Sequence, residues 1–290
     1  MNINSKTILT GLFANPAKHS LSPIMHNASF EKLGLNYAYL SFEIENNSLK
    51  EAVSSIKTLS MRGVNVSMPY KKDIINYLDT IEENASMIQS VNTIVNDNGI
   101  LKGYSTDGYG FIKSLEDENI FLEHKKATIL GLGGATYAII LSMCFEGIEE
   151  INIFSRSEKD LTIIENIKTK YNKKIFIHSL SDKHLLKNSI LSSDILVNTT
   201  PVGMTKTKEN NIISNSLIED SSFFREGLIV YDCIYNPFET KLLSMAKECG
   251  CITINGLGML IHQGALAFNL WTNCTMPTDY IKEILRSKYL

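Results

Sequence analysis

The amino-acid sequence predicts an α/β protein of two domains. Short strand-like segments alternate with helical ones from the start of the chain, and this order favours a mostly parallel sheet with helices on both faces. The pattern restarts near Lys126, where a strand leads into a glycine-rich turn and an apolar helix. A chain of 290 residues is long enough for two packed cores.

Apolar runs and their flanking turn residues predict the elements of the first segment in order. Strands are predicted at 7–14, 36–44 and 63–69. Helices are predicted at 23–34, 49–60 and about 70–78. An Asn-Gly turn at 98–99 then joins two more strands, 92–97 and 100–104.

The second segment begins with a strand at 127–130 and a helix at 135–145. Further strands are predicted at 151–154, 174–178, 194–200 and 228–235, with helical stretches between the later ones. From Gly256 onward the pattern is helical, at 259–273 and from Thr278. Residues 127–145 carry no charge and approach the length of a membrane span. Glycines divide this stretch, so a strand, a turn and a buried helix are the favoured interpretation.

Composition narrows the classes of function. The net charge is −3, from 28 basic against 31 acidic residues, and no basic cluster is present for a nucleic-acid surface. The five cysteines form no C-x-x-C pair and the histidines show no metal-binding spacing, so we expect idle thiols and no metal. The N-terminus lacks the pattern of a signal peptide. We expect a cytoplasmic protein without membrane partners.

The turn after the strand 127–130 is typical of a dinucleotide site. Its glycines allow the backbone to approach a pyrophosphate, and the helix that follows offers its positive N-terminus. The residues expected to contact the cofactor here are Gly131, Gly133, Gly134 and Ala135. The next strand ends in Ser155, Arg156 and Ser157, where an NAD site would usually carry an acidic residue. A guanidinium suits a 2′-phosphate and favours NADP; the alternative is an exposed arginine without a ligand.

Three polar clusters in the first segment are candidates for a substrate site. Ser20 and Ser22 precede a helix and can offer two hydroxyls to a carboxylate, although Ser22 could also be an ordinary helix N-cap. Lys71 follows the strand 63–69, and Asp107 follows the strand 100–104. Alone, the lysine could be a solvated surface residue and the aspartate a turn residue. Together they provide a proton donor with an orienting carboxylate, as the reduction of a ketone by hydride transfer requires.

Eight motifs in sequence order resemble those of the shikimate dehydrogenase family. They run from residue 19 to residue 268 and read HSLSPIMHNASF, NVSMPYK, SVNT, STDGYGF, GLGGAT, NTTPVGM, YDCIYNP and NGLGMLIHQGALAF. The resemblance implies a substrate domain of residues 1–107 plus 256–290 and a Rossmann-type NADP domain of residues 108–255, with a cleft between them. It also implies shikimate and 3-dehydroshikimate as substrates. For the assembly we expect a monomer or a homodimer.

The same resemblance assigns roles to individual residues. It implies that Lys71 is the acid/base paired with Asp107. The residues implied to bind the substrate are Ser20, Ser22, Ser67, Asn92, Asp107, Tyr235 and Gln263. Thr199 in the NTTPVGM motif, together with Gly256 and Met259 near the nicotinamide, is implied to lie at the cofactor.

Three departures from the family pattern leave the proposed chemistry in place. Ser67 stands where the family usually has threonine, which keeps the hydroxyl and loses a methyl that restricts its rotamer. Ser105 replaces the usual asparagine two positions before Asp107. Ser155 replaces an asparagine before Arg156, so the predicted preference for NADP is weakened and not reversed.

Two alternatives stay open at this point. A quinate/shikimate dehydrogenase would use a broader range of substrates and often NAD, although the pattern Ser20-x-Ser22 is closer to the shikimate-specific form. A ligand-sensing protein could keep the fold without the chemistry. Such a protein would be expected to lose the pair of Lys71 and Asp107 first, and both residues are present.

Overall fold

The structure is a computed structural model that describes residues 3–156, 161–204 and 215–289. It divides into two compact units. The first unit consists of Met1–Gly110 with Ile261–Tyr289, and the second of Phe111–Leu260. The chain therefore passes from one unit to the other at two positions, after Gly110 and after Leu260.

Strands and helices alternate along most of the chain. The strands are β1 (Ile8–Ala14), β2 (Tyr37–Glu43), β3 (Gly63–Val66), β4 (Thr80–Ile81), β5 (Thr93–Asp97), β6 (Ile100–Tyr104), β7 (Lys126–Leu130), β8 (Glu150–Ser155), β9 (Lys174–Ser179), β10 (Ile195–Asn198), β11 (Ile229–Asp232) and β12 (Ile252–Asn255). The helices are α1 (Ser22–Lys32), α2 (Leu49–Thr58), α3 (Glu83–Met87), α4 (Asp107–Glu116), α5 (Gly134–Phe145), α6 (Thr162–Tyr171), α7 (Lys183–Ser192), α8 (Lys241–Glu248), α9 (Leu257–Thr272) and α10 (Thr278–Tyr289).

The first unit contains a six-stranded sheet in the order β2-β1-β3-β5-β6-β4. β1 pairs in parallel with β2 and β3, and β4 pairs in parallel with β6. β5 is antiparallel to both of its neighbours, β3 and β6. Because β5 and β6 form the hairpin predicted around the Asn-Gly turn, one strand runs against the other five. The prediction of a mostly parallel sheet is confirmed.

The second unit contains a fully parallel six-stranded sheet in the order β12-β11-β10-β7-β8-β9. With β7 to β12 numbered 1 to 6 and the sheet read from β9, this is the 3-2-1-4-5-6 order of the Rossmann fold. The strand order reverses between β7 and β10, and ligands of such sheets bind at the carboxyl ends of the strands at that point. The predicted Rossmann-type sheet is confirmed.

An aromatic cluster packs α1 and α9 in the core of the first unit. His26 stacks on Tyr39, with ring centroids 4.4 Å apart and planes at 9°, and lies 5.3 Å from the Trp271 ring. Phe30 stacks on Phe268 at 5.1 Å. Complete burial lowers the pKa of His26 to about 3, so its ring is neutral and behaves as an aromatic side chain.

Arg62 fixes the end of α9 on the sheet. Its Nε donates to the carbonyl of Trp271 at 3.0 Å, and its Nη1 donates to the carbonyl of Asn96 at 2.7 Å. The last carbonyls of a helix lack partners within the helix, and a cation at that end also interacts favourably with the helix dipole. Arg62 thus joins the helix that carries Gln263 to the strands.

Several predicted elements need correction. Only Asp73–Tyr77 of the predicted helix 70–78 is helical, as a short 310 turn. β4, α3, α4 and β12 were not predicted; they have two, five, ten and four residues. Residues 127–145 form β7, the glycine turn and α5, as expected. None of the helices in the described part of the chain has both the length and the apolar character that a membrane crossing demands.

Gly63 provides a test of the packing between β3, β5 and α9. A Cβ at this position would lie 2.1 Å from the Ile94 carbonyl oxygen and 2.3 Å from Trp271 Nε1, which donates to that same oxygen at 3.0 Å. Gly63→Ala should lower the free energy of unfolding by about 3 kcal/mol or more, because it overpacks the core and breaks a buried hydrogen bond. Urea unfolding followed by circular dichroism measures this change.

Gly34→Ala is the matched control for Gly63→Ala. Gly34 has a φ of +66°, and a Cβ added there would have no neighbouring atom within 4 Å, so only backbone strain of about 1 kcal/mol is expected. Equal losses for the two variants would contradict the steric argument at Gly63.

Candidate active site

The topology of the first sheet gathers the polar clusters of the sequence at one edge. β3 and β6 run in the same direction, and β5 between them runs in the opposite one. Residues that follow β3 and β6 and residues that precede β5 therefore lie at the same edge. Lys71 follows β3, Asn92 immediately precedes β5, and Asp107 follows β6.

Lys71 and Asp107 form an ion pair at this edge. Lys71 Nζ lies 2.6 Å from Asp107 Oδ2, which is the short distance of a charge-assisted hydrogen bond. The two side chains are 19% and 9% exposed, so the pair is partly desolvated and the lysine side chain keeps some exposure to solvent. The Val91 N–H donates to the Lys71 carbonyl at 2.8 Å, and Tyr70 beside it is buried, so the backbone is held in place.

Asn92 orients the other oxygen of the carboxylate. Its Nδ2 donates to Asp107 Oδ1 at 2.7 Å, while its Oδ1 accepts from the Thr106 N–H at 2.8 Å. Gln263 on α9 places Oε1 at 3.5 Å from both Asn92 Nδ2 and Thr106 Oγ1. Four residues proposed from the sequence thus lie together: Lys71, Asn92, Asp107 and Gln263. Thr106 was not proposed, although its position just before Asp107 was a signal.

The serines proposed to bind substrate lie near the start of α1 and the end of β3. The Ser22 N–H donates to Ser20 Oγ at 3.2 Å, and Ser22 is the first residue of α1, whose capping position is Leu21. The interpretation of Ser22 as an N-cap is therefore wrong. Ser67 directly follows β3 and is half-buried. Tyr235 belongs to the second unit, where burial raises the pKa of its phenol. Contacts of these residues with substrate stay predictions.

The glycine turn of the second unit is shaped for close approach. Gly131 has a φ of +98°, and a Cβ there would lie 2.7 Å from Thr200 Cγ2 and 2.9 Å from Thr199 Oγ1. Only glycine therefore lets the turns after β7 and β10 meet where the strand order reverses. The Thr199 hydroxyl donates to the Leu130 carbonyl at 2.8 Å and lies 2.8 Å from Thr136 Oγ1.

The N-terminus of α5 fits the phosphates of a dinucleotide. The helix begins at Gly134, with Ala135 in its first turn, and the Gly133 N–H donates to Thr136 Oγ1 at 2.9 Å. The amide groups of this first turn have no partner within the helix, and the helix dipole adds partial positive charge there. Gly133 leaves the approach to these amides open, since a Cβ there would meet only Thr136 Oγ1, at 3.9 Å. This turn can hold the pyrophosphate.

The other residues proposed for the cofactor lie at the ends of β8 and β12 and at the start of α9. Ser155 ends β8 and is buried, and Arg156 after it is exposed, while Ser157 lies outside the described residues. Gly256 follows β12, where a Cβ would lie 2.1 Å from the Cys233 carbonyl oxygen. Met259 lies in the first turn of α9 and is buried. Their roles toward NADP stay predictions.

A buried carboxylate that sequence reasoning missed organises the turns after β10 and β11. Asp232 Oδ1 accepts from Asn198 Nδ2 at 3.0 Å and from the Ile234 N–H at 3.1 Å, and its Oδ2 accepts from Thr240 Oγ1 at 2.7 Å. Asn198 Oδ1 in turn accepts from the Thr200 N–H at 3.1 Å. Asp232 is fully buried, and this burial raises its pKa to about 6.

Known proteins match the chain over almost its whole length. A family model described as the shikimate dehydrogenase substrate binding domain matches residues 12–94, and one described as the shikimate 5'-dehydrogenase C-terminal domain matches residues 256–286. A shikimate dehydrogenase (NADP(+)) of Alkaliphilus metalliredigens is 47% identical over 290 residues, which cover 99% of each protein.

Solved structures agree with this match. The crystal structure of shikimate 5-dehydrogenase from Listeria monocytogenes in complex with shikimate and NAD is 42% identical, with a TM-score of 0.89 and 98% of each chain covered. A shikimate dehydrogenase in complex with NADP+ is 38% identical, with a TM-score of 0.91; the match covers 100% of this chain and 98% of that one.

Asp232 should make stability depend on pH. Its folded pKa of about 6 lies above the value of roughly 4 expected in the unfolded chain, so its contribution to stability is present below about pH 4 and is lost as the pH rises through about 6. As the pH rises from about 4 to about 6, the free energy of unfolding of the parent protein should fall by up to about 3 kcal/mol relative to that of Asp232→Asn. Urea unfolding of both proteins at a series of pH values measures this difference.

Asp220→Asn serves as the control for the pH experiment. Asp220 is exposed, and the hydrogen bonds from Ser222 hold the pKa of its carboxyl below the usual range. Its effect on stability should therefore run in the opposite direction with pH. A difference between the parent and Asp232→Asn that did not change with pH would refute the burial argument.

Proposed function

The chain belongs to the shikimate dehydrogenase family, and we propose that it catalyses the reversible, NADP-linked reduction of 3-dehydroshikimate to shikimate in aromatic amino-acid biosynthesis. The observation that carries the proposal is the ion pair of Lys71 and Asp107, with its atoms 2.6 Å apart. A binding protein without chemistry would not need a partly desolvated ammonium held by a carboxylate. We expect a monomer or a homodimer.

Lys71 supplies the proton in the proposed reaction. When bound, NADPH supplies the hydride that the ketone carbon accepts. The Lys71 ammonium donates a proton to the carbonyl oxygen as it becomes a hydroxyl, and the lysine is reprotonated from solvent. Asp107 and Asn92 hold the ammonium in position, because the Asp107 carboxylate accepts from Lys71 at 2.6 Å and from Asn92 at 2.7 Å. Oxidation of shikimate runs the same proton transfer in reverse.

The remaining polar residues of the first unit orient the substrate in this proposal. Ser20 and Ser22 bind the carboxylate beside the N-terminus of α1, where the helix dipole favours an anion. Ser67, Asn92, Asp107 and Gln263 contact the ring hydroxyls. We propose residues 1–107 with 256–290 as the substrate-binding and catalytic domain.

Residues 108–255 form the NADP-binding domain in this proposal. The turn of Gly131, Gly133 and Gly134 holds the pyrophosphate against the first turn of α5. Arg156 is exposed at the end of β8, where the second strand of a Rossmann sheet meets the adenosine ribose, and its guanidinium pairs with the 2′-phosphate.

The proposed function is tested by following NADPH formation spectrophotometrically with purified protein, shikimate and NADP. Quinate and NAD are substituted in parallel reactions. Fast turnover with shikimate and NADP alone supports the proposal. Comparable turnover with quinate or NAD would identify the broader quinate/shikimate activity, and no turnover in any reaction would favour a ligand-binding protein.

Lys71→Ala should lower kcat by roughly 10²- to 10⁴-fold, the contribution usual for a positioned acid or base. The KM for shikimate should change much less, because the hydroxyl, amide and carboxylate contacts are retained. Lys72→Ala is the matched control, since Lys72 is the exposed neighbour in the same segment. If Lys71→Ala kept kcat within tenfold of the parent, the assignment of the acid/base would be wrong.

Arg156→Ala should raise the KM for NADP about tenfold or more and leave the KM for NAD nearly unchanged, because only NADP carries the 2′-phosphate that the guanidinium binds. Initial-rate kinetics with both cofactors at saturating shikimate measure the two constants. NAD is the internal control of this experiment. An equal loss of affinity for both cofactors would show that Arg156 acts on a part they share.

A further inference from the structure

A chain of buried polar side chains lies behind the catalytic pair in the first unit. Tyr39 and Thr93 are 0% exposed, and Asn65 and Asn92 are 5% and 3% exposed. Polar groups at such positions cost free energy unless they are hydrogen-bonded, and an apolar core would avoid that cost. The polar chain therefore calls for an explanation beyond packing.

The hydrogen bonds of this polar chain all run in one direction. The Tyr39 hydroxyl donates to Asn65 Oδ1 at 2.8 Å, and Asn65 Nδ2 donates to Thr93 Oγ1 at 3.0 Å. The Thr93 hydroxyl donates to Asn92 Oδ1 at 3.3 Å, and Asn92 Nδ2 donates to Asp107 Oδ1 at 2.7 Å. The last bond ends on the carboxylate that holds Lys71. Bonds aligned in this way polarise and strengthen one another.

Both carboxamides in the polar chain are fixed in orientation by backbone groups. Asn65 Nδ2 also donates to the Asn92 carbonyl oxygen at 3.3 Å, so Asn65 Oδ1 must face Tyr39. Asn92 Oδ1 also accepts from the Thr106 N–H at 2.8 Å, so Asn92 Nδ2 must face Asp107. If the Asn92 amide were flipped, its NH2 group would face the Thr106 N–H. If the Asn65 amide were flipped, its oxygen would face the Asn92 carbonyl oxygen.

The far end of the polar chain is held by packing. The Tyr39 ring is stacked on His26, with centroids 4.4 Å apart. Both side chains are completely buried, so the phenol is fixed at the position from which its hydroxyl donates to Asn65 Oδ1.

We propose that Tyr39, Asn65 and Thr93 are positioning residues of the reaction: they hold the Asn92 carboxamide on Asp107, and through Asp107 they hold Lys71 at the reacting oxygen. This inference rests on the proposed function. Each of the three residues acts through the next member of the polar chain, and the last member is the carboxylate that binds the ammonium. Their loss should lower turnover of shikimate without affecting the binding of NADP.

Thr93 offers a matched pair of variants. Thr93→Val keeps the shape of the side chain and removes the hydroxyl that joins Asn65 to Asn92, whereas Thr93→Ser keeps the hydroxyl and removes a methyl group. Tyr39→Phe removes the phenolic hydroxyl and keeps the ring on His26. Thr10→Val is the control for loss of a buried hydroxyl in the same sheet, because Thr10 Oγ1 donates to the Ala38 carbonyl at 3.0 Å and is not part of the polar chain.

The kinetic constants and the melting temperature are measured for all four variants and for the parent. We expect Thr93→Val and Tyr39→Phe to lower kcat/KM for shikimate roughly tenfold, mainly through kcat, with the KM for NADP within about twofold of the parent. Thr93→Ser should stay within about threefold of the parent. Thr10→Val should lose melting temperature in the same range as Thr93→Val and keep its kcat.

Three results would overturn the inference. Thr93→Val within twofold of the parent would show that the polar chain does not position the pair. Equal activity losses in Thr93→Ser and Thr93→Val would show that the hydroxyl is not the cause. If Thr10→Val lost as much kcat as Thr93→Val, the loss would be explained by lower stability and not by positioning. Failure of the proposed function itself is seen separately, as absence of shikimate turnover in the parent protein, and the inference would then fall with it.

Discussion

The first unit depends on one requirement: the partly buried ammonium of Lys71 and carboxylate of Asp107 must have hydrogen-bond partners. Such a pair is stable only where further hydrogen bonds offset the loss of solvent, since removal of water from two charges costs more than their attraction alone returns. The reversed direction of β5 meets this need, because it places Asn92 beside the strand ends that carry Lys71 and Asp107. Had β5 been parallel to its neighbours, the amide would lie at the opposite edge of the sheet.

The second unit is governed by a different constraint, which is the close approach of two turns. The turns after β7 and β10 meet at the reversal of strand order, and Gly131 leaves the space that their contact requires. Thr136 and Thr199 then join the first turn of α5 to the end of β10 through a 2.8 Å hydrogen bond. Rigid turns of this kind keep the amide groups of the helix N-terminus directed at one point, as binding of a phosphate requires.

Much of the fold could be predicted from the sequence, because long apolar runs and glycine turns are local signals. Short elements such as β12 (Ile252–Asn255) were not predicted, because four residues are too few to show a periodic pattern. The partners Asn65 and Thr93 could not be recognised either. They lie within strands and are 28 positions apart, so that no local pattern distinguishes them from solvent-facing residues. Lys71 and Asp107 were found only through the chemistry that they share.

The contrast between Asp107 and Asp232 shows why the proposed proton transfer belongs to the first unit. Both carboxylates are buried, both lie at or shortly after the end of a strand, and both accept from an asparagine amide. The groups that donate to Asp232 are neutral, and burial raises its pKa to about 6. A carboxylate in that setting can order turns, but it holds no cationic proton donor toward a ligand. Asp107 faces an ammonium at 2.6 Å on a side chain that is partly exposed, and this arrangement can deliver a proton to a substrate oxygen.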